Sequence, residues 1–207
     1  MPQMRDAVDY FQTLFRRNQS SLWFVTIGIV VLVGLNLGLK NLNSALSMPF
    51  FFDSIGTAVG AALFGLLPGL TVGVLTNGVQ EVVAGLTMEN LPWAICSAAT
   101  AVIVWAYVRT ERFVHLRGAV WASVWVALAN SVLGAVIATF LYGGMTGVPL
   151  DYIAMGIVTA GRSILEGAFL ARVPSNLIDK GIAVFVAYFL YRRLLRPGAT
   201  NGMQRDL

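Results

Sequence analysis

Eighteen consecutive residues without a charge, Leu22 to Leu39, stand near the start of the chain, and similar apolar runs recur to its end. About 20 apolar residues cross a bilayer core as a helix, and only helices and closed barrels satisfy their backbone groups in lipid. Runs of this kind predict an all-α integral membrane bundle. The composition agrees: 57% of the 207 residues are hydrophobic and 12% are charged, whereas a soluble domain carries about 25% charged residues. The length accommodates roughly six spans with short loops. A soluble enzyme, a disordered chain, a disulfide scaffold and a one-helix anchor are thereby excluded. The single cysteine, Cys96, allows no intramolecular disulfide. The net charge of +4 reads as the positive-inside bias of cytoplasmic segments, so no nucleic-acid partner is expected.

The spans follow from the apolar runs and their punctuation. Residues 1–21 are too polar for a signal peptide. Met4, Val8, Phe11, Leu14 and Phe15 recur at helical spacing ahead of Arg16 and Arg17, which reads as an interfacial amphipathic helix on the cytoplasmic face. The transmembrane domain, 22–196, opens with span one, Leu22–Leu39. Span two runs from near Pro49 to about Leu67, with Asp53 in its first turn at the positive end of the helix dipole. Pro68-Gly69 is expected to make the tight turn into span three, Gly69 to about Ala84. Span four is Leu91–Val108, with Pro92 in its first turn, span five Gly118–Tyr142, and the last span Ser175–Leu195. Residues 197–207 form a cytoplasmic tail.

Asp151–Val173 is long enough to cross but carries Arg162 and Glu166. With six spans and both termini cytoplasmic, ten of the fourteen Lys and Arg fall inside: Arg5, Arg16, Arg17, Arg109, Arg112, Arg117, Arg192, Arg193, Arg196 and Arg205. A seventh span would send the C-terminal arginines outside, against the positive-inside rule. The segment is therefore expected to be an extra outer-side or partly inserted helix between spans five and six. Gly56, Gly60, Gly65, Gly69 and Gly73 recur every four or five residues, the spacing that lets helix backbones approach closely in lipid.

No catalytic centre is visible. There is no phosphate-binding G-x-x-x-x-G-K-[ST] loop. The one histidine, His115, lies in a basic loop away from most acids, which leaves no Ser-His-Asp set. One His and one Cys on different segments make a transition-metal site improbable on ligand chemistry, and no cofactor is expected. Polar residues instead gather at the outer boundary: Asp53, Asn77, Gln80, Glu81, Glu89, Asn90, Trp93, Arg162, Glu166, Asn176, Asp179 and Lys180, with Asn130 deeper in span five. Ionisable groups at membrane depth face a bundle interior or a cavity, and Trp93 offers a wall for a flat ring. Each also has a structural reading. Arg162 and Glu166 fit an i,i+4 pair, Asn176 a helix cap, Asp179-Lys180 a surface pair, and Asn130 a helix-packing contact.

Phe51-Phe52-Asp53-Ser54-Ile55-Gly56-Thr57, continuing through Ala61-Ala62-Leu63-Phe64-Gly65-Leu66-Leu67-Pro68-Gly69-Leu70 to Val74-Leu75-Thr76-Asn77, resembles the hairpin of spans two and three in the S components of energy-coupling factor transporters. Pro174 to Lys180, followed by an apolar helix and Arg192-Arg193, resembles their last span. The resemblance implies a multi-pass protein of the cell's inner (plasma) membrane, surrounded by lipid. It would capture a small water-soluble vitamin or related micronutrient at the outer side. A transmembrane coupling subunit and two ATPase subunits would drive its uptake. It implies substrate contacts from the Ser47–Phe52 loop and from Glu89, Asn90, Trp93, Asn130, Arg162, Glu166 and Asn176. Docking of the coupling subunit would fall to small residues of span one. Here Gly34 and Gly38 form the clear pair, near the outer end, and Thr26 and Gly28 lie nearer the inside. The N-terminal histidine region of metal-transporting relatives is missing, so nickel or cobalt is not implied. Two other readings stand beside this one: an accessory or sensory membrane subunit that uses the same fold to bind a protein partner, and a self-sufficient carrier.

Overall fold

A computed structural model describes residues 19–194 of the chain. Among these residues the fold is all-helical, with seven α-helices and no strand. We number them α1 (Gln19–Ala45), α2 (Ile55–Leu63), α3 (Leu66–Val83), α4 (Ala94–Arg109), α5 (Leu116–Tyr142), α6 (Leu150–Thr159) and α7 (Ile164–Leu194). Short 3-10 turns, Leu91–Trp93 and Arg112–Val114, lead into α4 and α5. The amphipathic segment expected over residues 1–21 falls almost wholly, and the 197–207 tail wholly, outside the described residues.

Four segments of the described chain are long and apolar enough to cross a membrane: Leu22–Ala45, Leu91–Arg109, Leu116–Tyr142 and Ile164–Leu194. They coincide with α1, α4 with its leading turn, α5 and α7. Their outer faces carry large apolar side chains, among them Val30, Val31, Trp121, Trp125, Val132 and Phe189, as a lipid-facing surface requires. The pair α5 and α7 packs along most of its length, and α2 sits in the middle against α1, α3, α4 and α7.

Three sequence expectations are corrected. The turn between the second and third helices is not Pro68-Gly69. It is Phe64-Gly65, where Gly65 takes φ 99°, a conformation that costs glycine little. Pro68 is the third residue of α3, where a helix has no intrahelical use for its N–H. Asp53 is not in a helical first turn, because α2 starts two residues later at Ile55. The last span does not begin at Ser175. It begins at Ile164 and continues through Pro174 for 31 residues. Asp151–Val173 is consequently two pieces, the ten-residue α6 and the first turns of α7, separated by a turn at Gly161 with φ 95°. A proline inside a helix removes one backbone bond, and neighbouring helices compensate for this in membrane proteins.

The glycine series makes the α2–α3 hairpin close. A Cβ at Gly69 would lie 2.6 Å from the Ala61 Cβ, and one at Gly73 would lie 2.7 Å from the Ser97 Cβ. One at Gly56 would lie 2.3 Å from the Leu32 carbonyl oxygen. Asn36, fully buried on α1, ties the three helices together. Its amide donates to Thr57 Oγ1 at 3.2 Å and Thr76 Oγ1 at 3.1 Å, while its Oδ1 accepts from the Gly56 N–H at 2.7 Å. By contrast, Gly34 and Gly38 face open space. Gly28 meets the Phe64 ring, and the Thr26 hydroxyl bonds its own helix at Leu22.

Charged residues collect at the two ends of the helices. Arg109, Arg112, Arg117, Arg192 and Arg193 gather where α4 and α7 finish and α5 begins. Lys40, Glu81, Glu89, Asp151 and Glu166 lie toward the opposite end.

Candidate functional site

The segment 46–54, between α1 and α2, is irregular. It lies across α7 and is bound to it at three levels. The Ser175 hydroxyl donates to the Pro49 carbonyl at 2.5 Å, the Phe52 N–H donates to Asp179 Oδ1 at 3.0 Å, and Lys180 reaches Asp53 and Ser54. Asn43 holds the near end by donating to the carbonyls of Met48 and Phe50. Ser47 and Phe52 take φ of 50° and 48°, rare for residues with side chains, especially bulky ones. In that conformation the Phe52 N–H is bound to Asp179.

Beneath this segment lies a cavity lined by Phe51, Asp53, Trp93, Cys96, Asn130, Gly134, Arg172, Asn176 and Lys180. Its volume is about 20 Å³, the room of about one water molecule. The α7 contribution comes from Arg172, Asn176 and Lys180, whose i, i+4, i+8 spacing stacks them on one helix face. The α5 contribution, Asn130 and Gly134, repeats the same step. Gly134 makes space for the others: a Cβ there would lie 3.2 Å from the Arg172 Cδ and 3.6 Å from the Trp93 ring.

The charges divide into two sets. Lys180, 3% exposed, lies 3.0 Å from Asp53 Oδ1, 2.7 Å from Asp179 Oδ2 and 2.8 Å from Ser54 Oγ, beneath the Phe51 ring at 5.6 Å. This triad has two carboxylates for one ammonium. Arg172, 1% exposed, is bound differently. Its Nη1 donates to the Ala168 carbonyl at 3.2 Å, while Nε and Nη2 are buried with no hydrogen-bond partner. No described carboxylate lies within ion-pair distance of it. Asp151 acts on it only from farther away and is occupied with the Thr146, Gly147 and Val148 N–H groups.

The expected site residues fall into two groups. Trp93, Asn130 and Asn176 line the cavity together. The Trp93 ring is stacked on Tyr142, with centroids 5.9 Å apart, and the Arg172 guanidinium is 5.9 Å from it, so protein groups already cover much of the ring. Asn130 donates to Thr100 Oγ1 and Asn176 to Ser131 Oγ. Both amides thus also hold helices together, and Asn176 sits inside α7 rather than capping it. Glu89, Asn90, Arg162 and Glu166 lie elsewhere. Arg162 and Glu166 pair with each other at 3.8 Å in solvent, and Glu166 also accepts from Ser163. Glu89 is exposed, and its carbonyl accepts from the Tyr142 hydroxyl. Asn90 gives its N–H to Glu81, which also takes the N–H groups of Met88 and Leu91 and so folds the loop before α4. Gln80 and Asn90 both accept from Lys40. Asp179-Lys180 is a buried pair, not a surface one, because α7 starts eleven residues earlier than its apolar run suggests.

Arg172, Lys180, Asp53 and Phe51 are the cavity residues with the strongest charge or covering role. Their shared spacing on the last helix was the signal available for two of them. No protein-family model matches the chain, and no curated protein and no solved structure matches it.

Proposed function

We propose that the chain is the substrate-capturing subunit of an ATP-driven uptake system, resembling the S components of energy-coupling factor transporters. In this reading α1, α3, α4, α5 and α7 cross the membrane as helices and the nine-residue α2 crosses together with the irregular 46–54 segment that leads into it, with both termini cytoplasmic, α6 at the outer side, and the arginine-rich end facing the cytoplasm. The membrane is the cell's inner membrane. The observation that carries the reading is the charged cavity under the 46–54 segment. Buried charges and amides converge there from α5, α7 and the 46–54 segment, beside Cys96 of α4, under a cover that is mostly loop. Ionisable groups at membrane depth are costly and mark substrate paths, and a ligand site needs convergent polar groups with apolar walls. Capture would proceed by displacement of Phe51 and its neighbours, entry from the outer side, and reclosure. The substrate would be a small vitamin or related micronutrient, and partner chains would supply ATP hydrolysis.

The second reading, an accessory or sensory subunit, is favoured by the exposed Gly34 and Gly38 on α1, whose open faces leave room for another helix. Gentle extraction of the tagged protein from its own membranes, followed by identification of stoichiometric protein partners, separates the two. Recovery of one polytopic coupling subunit with two ATPases is the expected result. Recovery of an unrelated membrane assembly alone would overturn the transport reading in favour of the second.

A further inference from the structure

We infer that the captured molecule carries a carboxylate, and that Arg172 holds it side-on. This rests on the transport reading and narrows it to a substrate class. The argument starts from the guanidinium itself. It is planar, with five N–H donors and no acceptor. The Nη1 side is engaged by the Ala168 carbonyl at 3.2 Å. The unpartnered nitrogens are Nε and Nη2, and these share one edge of the plane. That edge presents two parallel N–H groups, the fork that matches the two oxygens of a carboxylate. A guanidinium keeps its charge even when buried, so burial with no anion in contact is a standing cost.

The surroundings favour an anion at this edge and not at the other charged group in the cavity. Lys180 already has Asp53 and Asp179 within 3.0 Å, so a further anion there meets two carboxylates. Arg172 has no described acid within ion-pair distance. Gly134 leaves open the space beside its Cδ and Nε. The size also argues for a carboxylate over a phosphate: a cavity of about 20 Å³ is close to the room of a single water, and a flat group enters it with less displacement than a tetrahedral one. Asn130 and Asn176 also line the cavity, and they spend amide donors on Thr100 and Ser131.

The test is to purify the wild-type protein from its own membranes in mild detergent, denature it, and identify by mass spectrometry the molecules released other than bulk lipid. The same is done for Arg172→Gln and Arg172→Lys, each checked for wild-type elution and helix content. The expected result is a carboxylic acid near one per chain. Its occupancy should fall about tenfold or more in Arg172→Gln, as loss of a charge-assisted pair implies, and recover in part in Arg172→Lys. A neutral, cationic or phosphorylated molecule released at the same stoichiometry would overturn the inference and leave the transport reading standing. The identity of the wild-type molecule decides this even if a variant fails to fold. Unchanged occupancy in a folded Arg172→Gln protein would also overturn it. Release of no small molecule from wild type, with ATPase partners present, would overturn the inference alone. The same result with an unrelated assembly would overturn both.

Discussion

Asn36 and Arg172 are both sealed from solvent, at 0% and 1% exposure, and they are used in opposite ways. Asn36 is saturated: both its donor and its acceptor are bonded, across α1, α2 and α3. Arg172 is bonded through one nitrogen and leaves two without a partner. Around Asn36 the glycines bring backbones into contact. Around Arg172 a glycine opens a space instead. Buried polar groups are nearly always satisfied, so the first pattern is what holds a fold together. The second stores unused interaction at one place, which is what a binding site requires. The chain thus has a sealed half that fixes the scaffold and a half that keeps capacity in reserve.

The sharpest way to break this contrast is at the triad. Lys180→Met leaves Asp53 and Asp179 facing each other without their ammonium, and should cost about 3–5 kcal/mol. Thermal unfolding in detergent, followed by tryptophan fluorescence, should show a collapse in stability or in yield. Next comes the sealed half. Asn36→Ala removes three hydrogen bonds and orphans the Gly56 N–H, for a loss of about 1–3 kcal/mol with no specific effect on small-molecule occupancy. Arg172→Met should go the other way. It removes an unpaired buried charge, so the empty protein is expected to be as stable as wild type or up to about 1–4 kcal/mol more stable, while the co-purifying acid is lost. A destabilised Arg172→Met would place Arg172 with Asn36 as a structural residue. The smallest effect is expected at Arg162→Ala. That pair is solvent-exposed, and its loss should leave both the unfolding midpoint and the occupancy unchanged.

Much of the fold was legible in the residues. The uncharged runs place α4 and α5 within three residues of their ends, because a lipid-facing helix must be apolar along its length, whereas α1 runs on past its expected end at Leu39, through Lys40 to Ala45. The glycine series marked the close α2–α3 hairpin, because small residues at helical spacing let backbones approach closely. The misreadings share one cause. Proline and charge were read as local punctuation, so the last span was started at Ser175, just after Pro174, Pro68 became part of a turn, and Lys180 a boundary residue. Tertiary packing decides otherwise: α7 runs on through Pro174 and carries Arg172, Asn176 and Lys180 inward on one face. The cavity was half legible. Asn130 could be named from its depth in an apolar run, and Trp93 and Asn176 from their place at the outer boundary. That Arg162 and Glu166 pair in solvent while Arg172 stays unpaired depends on where the helix begins, which hydropathy alone does not mark.

Cys96 provides the most direct test of a covered site opening to the outer face. It is the chain's one cysteine and lines the cavity, so a membrane-impermeant anionic thiol reagent reports on that space without any engineered label. In intact cells the account predicts slow modification of wild type, faster modification of Phe51→Ala as the cover loosens, and little modification from the cytoplasmic side in inverted vesicles. Equal rates for wild type and Phe51→Ala, or reaction confined to the cytoplasmic side, would contradict it.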